Sequence, residues 1–195
     1  MTLDSIRAAF DEARQVLDHF MADPQNYQHI SDAAHLISHA LLNGHKAISC
    51  GNGGSMSDAM HFAEELSGRF RNDRRSLASI AISDPAHITC TANDYGFNFV
   101  FSRFVEGVGN PGDVLLAIST SGNSANVLNA AQTAIDKGMK VISLTGKDGG
   151  KLKAISHVNI NVPHFRYSDR IQEIHIKIIH ILIELIESLV DEKNS

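Results

Sequence analysis

Residues 46–69 read KAISCGNGGSMSDAMHFAEELSGR. A short apolar run from Lys46 to Cys50 meets a glycine-rich turn, and an amphipathic helical stretch follows from about Met56. Strand, tight turn and helix in immediate succession is the repeating unit of a parallel α/β sheet. The same change of period recurs downstream, with further apolar runs at Ala78 to Ile82, Asp113 to Ile118, Lys140 to Leu144 and Val158 to Val162. These runs are rich in β-branched residues and nearly continuous, as strands buried on both faces should be. Upstream, two amphipathic stretches, Leu3 to Met21 and Gln25 to Leu42, are broken at Asp23 and Pro24 and stopped at Asn43 and Gly44. The expected architecture is one α/β domain over 1–195: a helical hairpin over 1–44, then a core over 45–195 with a five-stranded parallel sheet between helices.

A final helix is expected from about Ser168 to Val190. In it Glu173, Lys177, His180, Glu184 and Glu187 form one polar stripe between two apolar flanks. So wide an apolar surface suggests a partner subunit over part of it.

The chain's 195 residues, 43% hydrophobic, suffice for one sizeable core. A formal net charge of -5 offers no general attraction to nucleic acid or anionic lipid, so an anionic ligand needs a local site. Two cysteines, Cys50 and Cys90, make no disulfide framework and suit a reducing compartment. Asp4, Ser5 and Arg7 interrupt the first ten residues, against a signal peptide, and the charges within Ile174 to Val190 speak against a membrane span. A cytoplasmic protein without nucleic-acid or membrane partners is expected.

In open α/β sheets ligands lie beyond the carboxyl ends of the strands. The turn Gly51, Asn52, Gly53, Gly54, Ser55 brings backbone N–H groups and a helix amino terminus to such a place. Ser55 with Asp58 also reads as a plain capping box, and composition does not choose between the two. A dinucleotide fingerprint would need glycine where Met56 stands, although Asp84 resembles the ribose-binding acid. The second turn, Ser119, Thr120, Ser121, Gly122, Asn123, Ser124, offers four hydroxyls at another helix start. Ser124 as a simple N-cap is the bland alternative. Two such turns at one sheet edge point to a phosphorylated small molecule.

Along the helix after the first turn, Asp58, His61, Glu65 and Arg69 share one face, and Met56, Ala59, Met60, Ala63 and Leu66 share the opposite one. A His and a carboxylate at i and i+4 can share a metal ion or a substrate, and Arg69 can meet a phosphate. On spacing alone, a solvated face with salt bridges accounts for the pattern as well. In the last helix Gln172 lies about 12 Å back along the axis from His180, and Glu173 and His175 are equal candidates by spacing. His35 and His39 lie opposite an apolar face and read as solvated.

Four segments carry a resemblance: SCGNGGSMSDAMHFAEE (49–65), LLAISTSGNSAN (115–126), LTGKDGGK (144–151) and IQEIHIKIIH (171–180). Their length, order and spacing resemble the phosphoheptose isomerases, which carry a sugar isomerase (SIS) domain. The resemblance implies a flavodoxin-like three-layer α/β/α fold, a homotetramer, and isomerisation of sedoheptulose 7-phosphate to D-glycero-D-manno-heptose 7-phosphate for the lipopolysaccharide core. It also implies that Asn52, Gly53, Gly54, Ser55, Asn93, Asp94, Ser119, Thr120, Ser121 and Ser124 line the substrate site. It implies one zinc per subunit on His61, Glu65, Gln172 and His180, with Glu65 and His180 as acid and base and with Glu65 and Gln172 also reaching substrate. Arg69 and Asp169 are added contacts. Some relatives carry His where this chain has Met56. The rival expectation is a non-catalytic SIS protein that senses a sugar phosphate or binds a replication initiator.

Overall fold

The computed structural model describes residues 2–192, so the limits 1 and 195 set from the sequence fall outside it. Five strands form one all-parallel sheet in the order β2-β1-β3-β4-β5. They are β1 (Ala47–Gly51), β2 (Ser79–Ala81), β3 (Val114–Ser119), β4 (Lys140–Gly146) and β5 (Val158–Val162). This is the flavodoxin-like order, and its reversal of winding falls between β1 and β3. Both of the unusual turns leave the sheet there.

Alternate residues of each strand feed opposite faces. Leu116, Ile118, Ile142, Leu144 and Ile160 pack with α1 (Leu3–Met21), α2 (Pro24–Leu42), α3 (Gly54–Ser67) and α8 (Ser168–Glu192). Ile48, Cys50, Leu115, Ala117 and Val141 pack on the other face with α5 (Val100–Val108), α6 (Ala125–Asp136) and α7 (Gly150–Ile155), beside α4 (Pro85–Tyr95). Burial pushes the Cys50 thiol up to about 12, which makes it an inert core group.

Several boundaries shift for physical reasons. Asp23 and Pro24, expected as a break, start α2: the Asp23 carboxylate accepts from Gln25 N at 3.0 Å and proline occupies the first helical turn. Helix α3 begins at Gly54, not near Met56, and ends at Ser67, so exposed Arg69 lies beyond the helix whose face it was expected to share. Of the expected sheet-facing residues Met60 is exposed, and Phe62 is fully buried in its stead. Part of the apolar surface of α8 is covered within the chain, at Ile174, Ile178, Leu182, Ile183, Ile186 and Val190, where α8 lies against α1, α2 and α3, while Ile176, Ile181, Leu185 and Leu189 are only partly buried. Exposed large apolar groups lie elsewhere, at Leu3, Phe10, Tyr95, Phe97, Phe165 and Tyr167.

Candidate active site

Helices α3 and α8 run side by side and parallel. The contacts fix their register: Gln172 lies at Gly54, His180 at His61, and Glu187 beside the loop that follows α3. At Gly54 an added Cβ would stand 2.7 Å from Gln172 Nε2, so a side chain there would displace the Gln172 carboxamide. Gln172 and His180 therefore reach the α3 face from the same chain. The described contacts place the Gln172 carboxamide toward the glycine turn, about two helical turns before His61.

His61 Nε2 and His180 Nε2 face each other at 3.0 Å, and Glu65 Oε1 lies 3.6 Å from His61 Nε2. Glu64, which the sequence did not single out, puts Oε1 3.3 Å from the other ring nitrogen of His61. That carboxylate favours a proton on Nδ1, leaving the Nε2 lone pair toward His180 and Glu65. The ring of Phe70 stacks on His180 with centroids 5.9 Å apart, and Arg71 covers Phe70 while pairing with Glu184. Desolvation first, then the like charge of His61, holds the His180 imidazole below its ordinary range against the opposing pull of Glu65. The shift favours the neutral imidazole, a form suited to proton transfer or to metal ligation. Among the alternatives in α8, His175 is fully buried, with Nε2 on Thr145 O at 3.0 Å, and desolvation lowers it to about 4. Glu173 is paired with Arg170. The structure thus separates three candidates that spacing left equal.

Asp58 was expected on the open face of α3. It is buried, its Oδ2 has no partner, and desolvation raises it to about 6, with His61 pulling the other way. The capping box with Ser55 does not form: Gly53 is the N-cap and no side chain caps the first turn. Ser55 N and Met56 N donate instead to Asn52 O at 3.0 Å and Gly53 O at 2.9 Å, and the positive end of the α3 dipole is left without a side-chain partner, a favourable setting for an anion.

The second turn shows the same economy of caps. Ser124 holds the N-cap position of α6 but makes no side-chain cap bond, and its hydroxyl accepts from Ser119 Oγ at 3.1 Å. Ser119 Oγ also lies 3.5 Å from Ser121 Oγ, and Ser121 Oγ accepts from Asn123 N at 3.1 Å. Thr120 is half-buried beside them. Gly122, at φ 63°, passes so near Gly149 that a side chain would strike its carbonyl, and Leu152 N donates to Gly122 O at 3.0 Å. The third resemblance segment, residues 144–151, thus buttresses the hydroxyl turn. Asn126 and Asn52 join the two turns through a reciprocal amide pair of 2.8 and 2.9 Å. Asn126 closes the second segment and had no role assigned from sequence. A buried asparagine in a first helical turn, a poor helix former needing a polar partner, was the available signal.

Other candidates stand apart. At the exposed end of α4, Asn93 donates to Asp94, which also accepts from Cys90 Sγ. Asp169 is exposed in the first turn of α8, 3.6 Å from Arg170. Arg69 forms no ion pair among the described residues. Asp84 is an N-cap, accepting from His87 N at 2.7 Å, which removes the ribose-binding reading. His35 and His39 are exposed, as expected. No helix among the described residues is long and apolar enough to cross a membrane.

Residues 10–146 match the model of the SIS domain. A phosphoheptose isomerase of Pectobacterium atrosepticum is 59% identical over 187 residues, 96% of this chain and 97% of its own. The structure of a phosphoheptose isomerase from Neisseria gonorrhoeae superposes with a TM-score of 0.88 at 42% identity, covering 95% of this chain and 98% of that one. One from Francisella tularensis gives a TM-score of 0.89 at 39% identity, covering 96% and 100%. The agreement extends through both turns and both helices that build the site, so the chain belongs to the SIS domain family and, within it, to the aldose–ketose isomerases known as phosphoheptose isomerases.

Proposed function

We propose that the chain converts sedoheptulose 7-phosphate to D-glycero-D-manno-heptose 7-phosphate through an enediol, in the cytoplasm, as a step toward the heptose of the lipopolysaccharide core. The observation that carries this reading is the register of α3 and α8, which puts His180 against His61 one turn from Glu65. The uncapped turns at Gly53 and Ser124 suit the phosphate, and Ser55, Ser119, Thr120 and Ser121 supply further donors around it. Binding the remote phosphate holds the reacting carbons in place, so that binding energy is used to orient them. Asn93, Asp94, Arg69 and Asp169, exposed in one subunit, complete the pocket from neighbouring copies of a homotetramer. A sedimenting mass other than four chains rejects that assembly.

In the reaction Glu65 removes a proton from C1 of the ketose, leaving an enediolate with its charge on the C2 oxygen, and neutral His180 carries the proton of the C1 hydroxyl to that oxygen. Glu65 then delivers its proton to C2, leaving the aldehyde at C1. Every proton removed is returned, and each group ends as it began.

The donors also suit one zinc per subunit. Zinc–ligand bonds of about 2.0–2.1 Å set tetrahedral ligand atoms about 3.3 Å apart; His61 Nε2 lies 3.0 Å from His180 Nε2 and 3.6 Å from Glu65 Oε1, while the donors that all lie within 4.8 Å of one another are those of His61, Glu64 and Glu65. His61, Glu65 and His180 would hold the ion, with Gln172 joining after its carboxamide turns from Gly54. When bound, the ion would stabilise negative charge developing on the substrate oxygens.

Glu65→Gln and His180→Gln test the assignment. Each should lower turnover of sedoheptulose 7-phosphate by a factor on the order of 10² or more, with circular dichroism unchanged. Wild-type turnover in either variant rejects the acid–base role of the residue replaced.

A further inference from the structure

We propose that Asn126 is a positioning residue that fixes the side-chain orientation of Asn52 and so couples the two substrate turns across the switch point of the sheet. The proposal rests on the reading of Asn52 as a substrate contact. Asn126 is 2% exposed, in the first turn of α6, while Asn52 is half-buried at the end of β1. Asn126 Nδ2 donates to Asn52 Oδ1 at 2.8 Å, and Asn52 Nδ2 donates to Asn126 Oδ1 at 2.9 Å.

A reciprocal amide pair alone does not fix direction, because turning both groups over restores both bonds. Here a third contact breaks that symmetry. Val127 N donates to Asn126 Oδ1 at 3.0 Å, and in the flipped pair this N–H would face an NH₂ group. The helix backbone therefore sets Asn126, and Asn126 sets Asn52. One N–H and one lone pair of Asn52 remain unused by the pair, and their directions are defined before substrate arrives. Preorganisation of this kind lowers the cost of ordering a polar contact on binding. The same two bonds hold the glycine turn and the hydroxyl turn at one separation, which a sugar phosphate contacted by both turns would require.

The test is a double-mutant cycle on kcat/KM for sedoheptulose 7-phosphate using wild type, Asn52→Ala, Asn126→Ala and the double variant, with melting temperatures measured alongside. Asn126→Ala should lose about 10-fold, the order of one hydrogen bond to substrate. In the Asn52→Ala background the same change should cost less than about 2-fold, since the residue acts through Asn52. Equal losses in both backgrounds overturn the proposal. Wild-type kcat/KM in Asn52→Ala overturns the substrate reading of Asn52 instead, and the proposal with it.

Asn126→Asp covers the event that alanine prevents folding. A carboxylate in the first turn of a helix is favourable and still accepts from Asn52 Nδ2 and Val127 N, but it cannot donate to Asn52 Oδ1. Burial of the carboxylate and its approach to Asn52 Oδ1 should lower the melting temperature, while kcat/KM of the folded protein should fall several-fold, again only with Asn52 present. A loss that persists in Asn52→Ala would mark simple repulsion of the substrate's phosphate and sink the proposal.

Discussion

Replacing Arg74 by methionine should destabilise the protein by about 4 kcal/mol without disturbing the sheet. Arg74 is 2% exposed at its side chain and Glu187 6%, with Nε donating to Glu187 Oε1 at 2.8 Å. The remaining guanidinium hydrogens cap the end of α3, donating to Glu65 O at 2.7 Å, Leu66 O at 2.9 Å, Gly68 O at 3.1 Å and Arg75 O at 3.2 Å. Removing one partner of a buried pair strands the other charge, at a cost of about 3–5 kcal/mol. Glu187→Leu should cost less, about 2 kcal/mol, because the guanidinium keeps its carbonyls. In Arg74→Met/Glu187→Leu no charge is stranded, so the double variant should be more stable than Arg74→Met alone. It should still fall short of wild type by about 2 kcal/mol, for the carbonyls left without donors. Urea unfolding by circular dichroism measures all three. A loss under 1 kcal/mol, or a double variant less stable than Arg74→Met, would refute this account of the pair.

Asp58 gives a prediction of opposite sign. Its folded value, raised from 3.8 to about 6 by desolvation, means that its contribution to stability is present below the unfolded value and lost as pH rises through about 6. Asp58→Asn should then be more stable than wild type above pH 7, by at most about 3 kcal/mol, with the advantage gone by pH 4; a difference independent of pH in thermal unfolding contradicts it. For the metal, elemental analysis of protein purified without added zinc should find one ion per chain, and prolonged chelation should remove turnover that zinc restores. Undiminished turnover in metal-free protein removes zinc from the proposed chemistry.

Fold and site were legible in the sequence to different depths. The strand positions followed from apolar runs, because burial on both faces leaves a signature in each segment by itself. The two turns were visible for the same reason, since Gly51 to Ser55 and Ser119 to Ser124 are local compositions. Misreadings arose where the outcome depends on a second element. Glu187 sits on the polar stripe of α8 yet is 4% exposed, because Arg74 arrives from a loop more than a hundred residues earlier. Met60, expected to face the sheet, is exposed, and Phe62, which had no role assigned, is buried, because α3 packs against α8 as well as the sheet, and that turns its buried face. Asn126 went unassigned because its partner lies 74 residues away.

The docking of α3 on α8 joins the catalytic proposal to the stability prediction. His180 meets His61, and seven residues later Glu187 meets Arg74, whose guanidinium also holds the carbonyl of Glu65. Seven residues is close to two helical turns, so His180 and Glu187 lie on the same side of α8. A slip of α8 by one residue would rotate both by about 100° and lose both contacts together. The buried ion pair thus specifies the register on which the proton-transfer groups depend, a use in which a buried charge pair can serve even where its net contribution to stability is small. It follows that Arg74→Met/Glu187→Leu, although partly restored in stability, should remain deficient in turnover. In that variant stability and activity should separate, which a purely structural pair would not produce.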